Sequence, residues 1–255
     1  MENKQKSSST LLTAERTLRI LSLFKKKTYT LQEIVDELEL PKSIVFRTVH
    51  TLESLGYLLK DERTKTYSLG YEVFRLGKAM NHNMLIKKIA MPIMEELQEK
   101  LGETVCFVVP DYVSLTALQI ADIETPHPIK HTVNINSVGY LHCGAARKTL
   151  LAHLEPDIIN KVISKGLPKI TENTITDPTE LKKELAKIRE QGYGMSSAEL
   201  VPDLFSVAAP VFGYEDEFIG CLGVYLPSYR LNNKEQKIVN LVHYYSNRIS
   251  EEINS

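Results

Sequence analysis

The stretch PKSIVFRTVHTLESLGYL, residues 41–58, contains side chains of the types that bind nucleic acid. The set comprises Lys42, Ser43, Phe46, Arg47 and His50. Arginine can donate to guanine edges or phosphates, lysine and serine near a helix start can bind phosphates, and phenylalanine can contact a thymine methyl group. A solvated helix face rarely carries an exposed phenylalanine between two cationic residues, so this set indicates a surface that reads DNA.

The same stretch carries an apolar stripe. Val45, Val49, Leu52 and Leu55 recur at intervals of four, three and three residues, which is typical of one buried helix face. We therefore expect these four side chains in a core, with the polar set on the opposite side. The alternative is a solvated polar face on which Phe46 packs against the hairpin that follows.

The elements that must position this helix can be predicted from local signals. From Thr13 the apolar spacing indicates a first helix, and TLQE at 30–33 has the form of a capping box that starts a second one. Pro41 fits the first position of the third helix, and Gly56 fits the position just past its end.

Two short strands, 57–60 and 65–69, follow the third helix around a charged turn. Helix, short helix, turn, helix and hairpin are the order of a winged helix-turn-helix module. The tip of the hairpin would bring Arg63, Thr64 and Lys65 to the DNA backbone or the minor groove beside the helix. This context favours the DNA-reading interpretation over a solvated face.

Helices and strands are interleaved in the rest of the chain. Residues 71–80 are typical of a linker helix, and residues 84–102 predict a helix that Pro92 either kinks or starts. Strand patterns occupy 103–110, 113–121, 128–135, 206–213 and 217–227, and helical patterns occupy 144–154, 178–194 and 232–253. Without a repeat or a glycine-rich dinucleotide fingerprint, this order indicates an α+β sensor-like domain.

Charge is unevenly distributed along the 255 residues, although the net charge is only -1. Residues 1–65 contain 12 Lys and Arg against 9 Asp and Glu, and the remainder is acidic. A mildly basic segment favours a polyanionic partner. The chain has neither a long apolar run nor a charged-then-apolar leader, so we expect it in the cytoplasm and without a membrane partner.

Several motifs run in order through nearly the whole chain. They are ERTLRILSLF, TLQEIVDELELPKSIVFRTVHTLESLGYL, YSLGYEVFRLG, GETVCFVV, LHCGAARKTLLAHL, IREQGYGMSSAEL, VAAPVF and LPSYRL. In this order and spacing they resemble the IclR family of bacterial transcription regulators. The resemblance implies an N-terminal winged helix-turn-helix domain that binds palindromic double-stranded operator DNA, usually to repress. It also implies a C-terminal GAF-like α/β effector-binding domain and a homodimer or dimer of dimers.

The polarity of the first residues, the order of the elements and the resemblance together predict a division of the chain into four parts. A disordered tail is expected at 1–9, the DNA-binding domain at 10–70, a linker helix at 71–83, and the effector-binding and oligomerisation domain at 84–255. A small carboxylic or aromatic acid is the expected effector. It would change the spacing of two DNA-binding domains through the helices at 72–101.

The expected effector site lies between the start of the helix in LHCGAARK and the later strands. Its residues, carried over from the resemblance, are Cys143, Gly144, Ala145, Ala146, Ser196, Ser206, Cys221, Gly223 and Tyr225. Backbone N–H groups at a helix start attract anions, which independently favours the first four positions. Gly223 and Tyr225 share strand parity with Cys221, so the three should face the same side of a sheet.

A few positions depart from the pattern of the family. Arg147 and Asp203 stand where relatives usually have glycine, and Gly223 and Tyr225 replace small polar residues. Arg147 either adds a cation to the ligand loop or points to solvent. Ile44, where relatives commonly carry threonine, favours methyl contacts over phosphate hydrogen bonds and joins the DNA-binding set, so the operator is expected to differ from those of relatives.

Three other functions compete with this interpretation. An enzyme is not expected, and no cofactor is implied, because GxSxG, P-loop, HExxH and GxGxxG motifs are missing and the adjacent His142 and Cys143 do not by themselves make a dyad. A metal-responsive regulator could use His127 and His131 with that pair, although the two prolines near His127 indicate a loop. A third alternative is a regulator without a ligand, whose C-terminal domain only oligomerises.

The cysteines favour neither a disulfide framework nor a structural zinc site. Cys106, Cys143 and Cys221 are far apart in the sequence, odd in number, and lack CxxC spacing. We expect small buried thiols in a reducing compartment.

Overall fold

The structure is a computed structural model that describes residues 11–25, 27–79, 81–128 and 140–255. The chain divides into two compact units, Met1–Asn81 and His82–Ser255. The expected disordered tail at 1–9, His131, and all but the first residue of the strand expected at 128–135 lie outside the described residues. No helix in the described part of the chain is long and apolar enough to cross a membrane.

The N-terminal unit has the predicted winged helix-turn-helix order. Its elements are α1 (Leu12–Leu23), β1 (Tyr29–Thr30), α2 (Leu31–Leu38), α3 (Lys42–Ser54), β2 (Leu58–Lys60), β3 (Thr66–Leu69) and α4 (Tyr71–Lys78). The strands form an antiparallel sheet in the order β1-β3-β2. The two-residue strand β1 was not predicted, because a strand so short shows no alternation in the sequence.

The boundaries of α2 and α3 follow from local chemistry. The capping box is confirmed, since the Thr30 hydroxyl accepts from the Glu33 N–H and the Glu33 carboxylate accepts from the Thr30 N–H at 2.7 Å. Gly56 follows α3 with a φ of 78°, a left-handed conformation that favours glycine. The prediction for Pro41 is wrong by one residue. It is the N-cap, with a ψ of 132°, and its carbonyl accepts from Ile44 and Val45.

The apolar stripe of α3 is confirmed for its first three members and wrong for the fourth. Val45, Val49 and Leu52 are buried with Ile20 of α1 and other apolar residues of this unit, whereas Leu55 is 61% exposed. At about 100° per residue, two successive three-residue steps rotate Leu55 by roughly 120° relative to Val49. The helix also ends at Ser54. Leu55 therefore lies outside both the helix and its buried face.

The C-terminal unit is built on one antiparallel sheet of five strands in the order β5-β4-β8-β7-β6. These are β4 (Thr104–Asp111), β5 (Thr116–Ile123), β6 (Gly194–Ser197), β7 (Leu204–Phe212) and β8 (Phe218–Pro227). The helices are α5 (Asn81–Leu101), α6 (Ala145–His153), α7 (Pro156–Ser164), α8 (Pro178–Gln191) and α9 (Glu235–Ile253). Pro92 lies inside α5 and does not start it, and residue 194, predicted as a helix end, begins β6.

Each face of this sheet has its own core. One core joins α5 and α9 to side chains such as Val105, Leu222 and Val224. The other joins α6, α7 and α8 to Cys106, Ala208 and related residues. The α+β architecture expected from the sequence is therefore a sheet between two helical layers.

Small residues let α6 pack close to its side of the sheet. Gly194, Ala208, Gly223 and Cys106 are successive cross-strand neighbours on β6, β7, β8 and β4. A Cβ added at Gly194 would lie 2.4 Å from the Thr149 Oγ1 and 3.2 Å from the Ala145 carbonyl oxygen. The row of small side chains thus fixes where the first turn of α6 lies.

Gly220 on β8 offers a direct test of close packing within the sheet. A Cβ at this position would lie 2.4 Å from the Val108 carbonyl oxygen. We expect Gly220→Ala to lower the free energy of unfolding by about 1–3 kcal/mol, because the neighbouring strand must move. Thermal and denaturant unfolding followed by circular dichroism measures the change.

Gly77→Ala is the matched control. Gly77 lies in α4, where an added Cβ meets nothing within 4 Å, so the same substitution should leave stability unchanged or raise it by roughly 0.5–1 kcal/mol. Equal melting temperatures for Gly220→Ala and the wild type would contradict the packing argument.

Candidate functional site

The exposed side of α3 carries the residues predicted to contact DNA. Lys42, Ser43, Arg47 and His50 are exposed, and Ile44 is half-buried. Phe46 is 57% exposed and stacks on the His50 ring at a centroid distance of 6.3 Å. Phe46 is therefore held by its own helix and not buried against the hairpin, which disfavours the alternative of a closed, solvated face.

A groove beside α3 adds a cation that the sequence analysis did not single out. Arg16 and Thr17 of α1 line it together with Ile44, Arg47 and Thr51 of α3. Arg16 lies on the first helix, so only the packing of α1 against α3 brings it next to Arg47. The helical spacing of α1 was visible in the sequence, but the angle at which α1 crosses α3 was not.

The hairpin tip is ordered by its acidic residues. The Asp61 carboxylate accepts from the backbone N–H groups of Arg63 and Thr64 at 2.8 and 3.1 Å, and these bonds lower the pKa of Asp61. Glu62 binds Lys60 and Lys65 at 2.6 and 2.7 Å. Arg63, Thr64 and Lys65 are exposed as predicted, but Lys65 is already paired with a carboxylate.

A cavity of about 40 Å³ lies between the start of α6 and the sheet. Seven of the nine predicted effector residues line it: Gly144, Ala145, Ala146, Ser196, Ser206, Gly223 and Tyr225. Cys106, Arg147, Leu200, Leu204, Val207 and Val224 also line it and were not predicted there, apart from the open alternative for Arg147. This volume holds only a few water-sized groups.

Cys143 and Cys221 do not belong to the lining of this cavity. Cys143 precedes the helix start and its thiol contacts the Arg147 guanidinium. Cys221 has the expected strand parity with Gly223, which lies two residues later on β8. The Cys221 thiol, however, lies 3.4 Å from the Ala146 carbonyl oxygen. The parity rule predicts the face of a strand correctly and says nothing about how far α6 covers that face.

The polar wall of the cavity arises from the sheet register. Ser196, Ser206, Tyr225 and Thr104 are successive cross-strand neighbours on β6, β7, β8 and β4. Burial raises the pKa of Tyr225, so its phenol stays protonated. This row places hydroxyl groups beside the small residues at the helix start.

The backbone N–H groups at the start of α6 already have partners. The Gly144 N–H donates to the Glu199 carboxylate at 3.0 Å, and the Ala145 N–H donates to the Ser206 hydroxyl at 3.4 Å. The protein thus supplies its own anion to a position that the sequence suggested was open to a ligand. An incoming anion must use the remaining first-turn groups or displace Glu199.

Lys148 connects this helix start to two other elements. Lys148 is 1% exposed. Its Nζ atom lies 2.6 Å from a carboxylate oxygen of Glu199 and 2.7 Å from one of Glu184 on α8. The Thr174 hydroxyl donates to the Glu199 carbonyl at 2.7 Å, and the Thr171 hydroxyl donates to the Ala198 carbonyl at 2.6 Å. Glu199 is therefore fixed through both its backbone and its side chain.

Asp203 and Ala198 flank this segment with left-handed backbones. Their φ angles are 57° and 54°, a region that favours glycine. The left-handed backbone at Asp203 accounts for the glycine that the family resemblance implies at this position. Aspartate tolerates the conformation better than most residues.

The remaining candidate ligands and nucleophiles have separate partners. The buried His142 ring lies 3.0 Å from the Pro168 carbonyl oxygen through its Nε2 atom, while Cys143 contacts Arg147. Burial raises the pKa of Cys143 to about 11, and the Arg147 charge opposes this only in part. His142 Nε2 and the Cys143 thiol thus have different partners. In the described residues, no group of three His, Cys, Asp or Glu side chains could hold a metal ion.

Removing the Lys148 ammonium group should destabilise the C-terminal unit strongly. Lys148→Met removes the cation that the buried Glu199 and the half-buried Glu184 share, so we expect a loss of about 3–5 kcal/mol in the free energy of unfolding. Lys187→Met on α8 is the control, because Lys187 is exposed and its replacement should cost no more than about 0.5 kcal/mol. Chemical denaturation of both variants measures the difference, and equal stabilities would argue against this network.

The three cysteines should be unreactive in the folded protein. All are buried and free, and burial raises the pKa of Cys106 to about 12 and that of Cys221 well above its usual range. A raised pKa lowers the thiolate fraction at pH 8, and the thiolate is the reactive form. We expect Ellman's reagent to label no thiol quickly in native protein and all three after denaturation. Fast labelling of one native thiol would contradict its burial.

Comparison with known proteins covers both units. The profile of the IclR helix-turn-helix domain matches residues 13–62, and that of the bacterial transcriptional regulator IclR C-terminal region matches residues 78–251. The transcriptional regulator KipR of Bacillus subtilis is 32% identical over 217 residues, 84% of this chain and 83% of KipR. The transcriptional repressor AllR of Escherichia coli K12 is 28% identical over 220 residues, 85% of this chain and 80% of AllR.

A solved structure has the same fold. An IclR homologue of Microbacterium hydrocarbonoxydans, crystallised with 4-hydroxybenzoate, superposes with a TM-score of 0.84 at 22% identity and covers 94% of this chain and 98% of its own. The fold, both domain profiles and the identity to KipR agree: the chain belongs to the IclR family of bacterial transcription regulators.

Proposed function

We propose that this regulator is a repressor whose binding to a palindromic operator is controlled by a small carboxylic or aromatic acid. The N-terminal unit binds double-stranded DNA, and the C-terminal unit binds the effector and oligomerises. The division into a tail at 1–9, a DNA-binding domain at 10–70, a linker at 71–83 and an effector domain at 84–255 is part of this proposal. Since its target is DNA, the protein acts in the cytoplasm.

The exposed face of α3 supports the DNA-binding half of the proposal. Arg47 and Phe46 project from a helix whose opposite face is closed by Val45 and Val49, so they can enter a major groove without disturbing the core. Arg47 reads base edges, while Lys42, Ser43 and Arg63 bind phosphates. Contacts by Ile44, His50, Thr64 and Lys65 complete the proposed interface.

Apolar residues on α1 support dimerisation of the N-terminal unit. Leu11, Leu12 and Leu18 are exposed, and Leu11 and Leu18 border a groove on this helix. Exposed leucines on one helix are typical of an interface. Two copies of α3 held one helical turn of DNA apart would read the two halves of a palindrome.

The cavity carries the effector half of the proposal. A pocket lined by seven of nine residues expected to hold an effector is the single observation behind it. The small volume favours a compact acid, and a ring such as that of the 4-hydroxybenzoate bound by the Microbacterium homologue would require the side chains of Leu200 or Leu204 to move. The effector would alter the spacing of two DNA-binding units through residues 72–101.

Regulation is favoured over catalysis by the chemistry of the cavity. Its cysteine, Cys106, has a pKa raised by burial, which keeps the thiol protonated and a poor nucleophile. The relatives named above are regulators, and AllR is named a repressor. An absence of any acid that changes operator affinity would instead favour a C-terminal unit that only oligomerises.

Substitution of Arg47 tests the role of α3. An operator duplex can be selected from a pool of random-sequence DNA with the full-length protein. We expect Arg47→Ala to weaken binding to this duplex by about 1–3 kcal/mol, the range for a bidentate contact to guanine. Fluorescence anisotropy at a fixed salt concentration measures the change.

Lys182→Ala is the control for loss of a positive charge. Lys182 is exposed on α8 in the C-terminal unit, so its replacement should leave operator affinity unchanged at the same salt concentration. If Arg47→Ala and Lys182→Ala bind the selected duplex as tightly as the wild type, Arg47 does not read the operator.

A further inference from the structure

A row of hydroxyl groups crosses the sheet and continues beyond the cavity. Ser196, Ser206 and Tyr225 line the cavity. The next member of the row is Thr104, the cross-strand neighbour of Tyr225 on β4, which is 2% exposed and lies outside the lining. Thr104 is the first residue of β4, and the chain reaches it from α5 through Gly102. The row therefore ends where α5 joins the sheet.

Tyr225 and Thr104 interact through their side chains. The two residues lie directly opposite each other on β8 and β4, so their side chains share one face of the sheet. Burial raises the pKa of the Tyr225 phenol, and a hydrogen bond with the Thr104 hydroxyl opposes this shift. A change in the position or bonding of the phenol therefore acts directly on Thr104.

Thr125 joins Thr104 to the end of α5. The Thr125 N–H donates to the Thr104 hydroxyl oxygen at 3.1 Å, and the Thr125 hydroxyl donates to the Gly102 carbonyl at 2.6 Å. Gly102 follows the last residue of α5 with a φ of 71°, and its N–H donates to the Gln98 carbonyl at 2.6 Å. Thr125 is 5% exposed. One buried threonine thus holds the turn that ends the helix.

The sheet separates the cavity from α5. Helix α5 packs with α9 on one face of the sheet, whereas the cavity lies beside α6 on the other. Val105, Val207 and Val224 are buried in the sheet between them, and such close packing leaves little room for a local movement. The contacts of Thr104 and Thr125 pass around the end of the sheet. They therefore connect the cavity to α5 without disturbing this packed layer.

Helix α5 is the element through which the chain leaves the N-terminal unit. That unit ends at Asn81, the first residue of α5, and the C-terminal unit begins at His82. A change at the C-terminal end of α5 therefore acts on the helix that is joined covalently to the DNA-binding unit.

We propose that Thr104 and Thr125 are positioning residues that carry the state of the cavity from Tyr225 to the C-terminal end of α5. A ligand that bonds to the Tyr225 phenol or turns its ring alters the contact with Thr104, and Thr125 passes the change to the Gly102 carbonyl. A helix end that is held less firmly costs more to order when two DNA-binding units meet an operator. This inference rests on the proposed function, because it assumes that the effector occupies the cavity and controls operator binding.

Operator binding by ligand-free, full-length variants tests this connection. Tyr225→Phe removes the phenol oxygen, and Thr125→Val replaces the hydroxyl that holds α5 by a methyl group. We expect each variant to bind the selected duplex about fivefold more weakly or worse, the lower end of typical coupling between sites. The double variant should bind as the weaker single variant does, because both changes break the same connection. Fluorescence anisotropy at a fixed salt concentration measures the four affinities.

Two variants with the same chemical changes at exposed positions are the controls. Tyr112 follows the end of β4 and is 58% exposed, and Thr176 is also exposed. Tyr112→Phe and Thr176→Val should therefore leave operator affinity unchanged. In Thr125→Val the junction should stay folded, because Arg230 still binds Glu103 at 2.7 Å. Circular dichroism melts check that every variant is folded at the temperature of the binding assay.

Hydrogen exchange provides a measurement that requires neither DNA nor a ligand. Tyr225→Phe should speed the exchange of backbone amides at 98–103, including the Gly102 N–H, although the substitution lies on β8. Tyr112→Phe should leave the exchange of this segment unchanged. Mass spectrometry of peptic peptides that cover the segment measures the rates.

The two measurements separate this inference from the proposed function. The inference is overturned if Tyr225→Phe leaves exchange at 98–103 unchanged, or if Tyr225→Phe and Thr125→Val change operator affinity independently or not at all. A wild type that selects no DNA sequence would overturn the proposed function. Faster exchange in Tyr225→Phe would even then establish the connection between Tyr225 and α5.

Discussion

The contact on which the C-terminal unit depends is the buried ion network of Lys148. Its ammonium group joins α6, α8 and the segment after β6 through Glu184 and Glu199. The same Glu199 holds the N-terminal end of α6 through the Gly144 N–H, so one carboxylate sets both the position and the end of the helix. Three carboxylate oxygens accept hydrogen bonds in this network, and the buried ammonium charge is balanced, which lowers the cost of burying these groups. The effector cavity is the space left beside this fixed helix start.

Close packing and an open cavity have the same origin in this unit. Gly194 and Gly223 remove the side chains that would keep α6 away from the sheet, and the helix therefore approaches closely near Thr149. At Ala145 and Ala146, where the helix begins, its own side chains are also small. The cavity is bordered by the small side chains of Ala145 and Ala146 on the helix and by Ser196, Ser206 and Tyr225 on the sheet.

Local signals in the sequence predict what depends on neighbours in the chain. The capping box of Thr30 and the glycine at 56 are examples, since the groups that interact are three or four residues apart. Contacts between distant segments were not predictable: Gly144 meets Glu199 only because strand register and helix packing are both fixed, and no periodicity records that pairing. The exposure of Leu55 was missed for a different reason, because successive three-residue steps drift around a helix and the apolar pattern does not show which of its members leaves the buried face. For the cavity, motif resemblance identified seven positions, whereas the burial of Arg147 required the packed structure.

In the hairpin formed by β2 and β3, the number of basic residues overstates the positive charge that is free to attract phosphate. Its tip is basic by composition, yet Glu62 binds both Lys60 and Lys65, and these two ammonium groups lower the pKa of Glu62 to about 2. The carboxylate therefore remains ionised at any pH at which the protein meets DNA, and it offsets part of the attraction of both lysines for phosphate. The Asp61 carboxylate accepts from the backbone N–H of Arg63, and the Arg63 side chain is exposed. In the hairpin, the attraction for phosphate therefore comes mainly from Arg63. The α3 face presents two more cations, Lys42 and Arg47. We infer that α3 supplies more of the positive charge near DNA than the hairpin does.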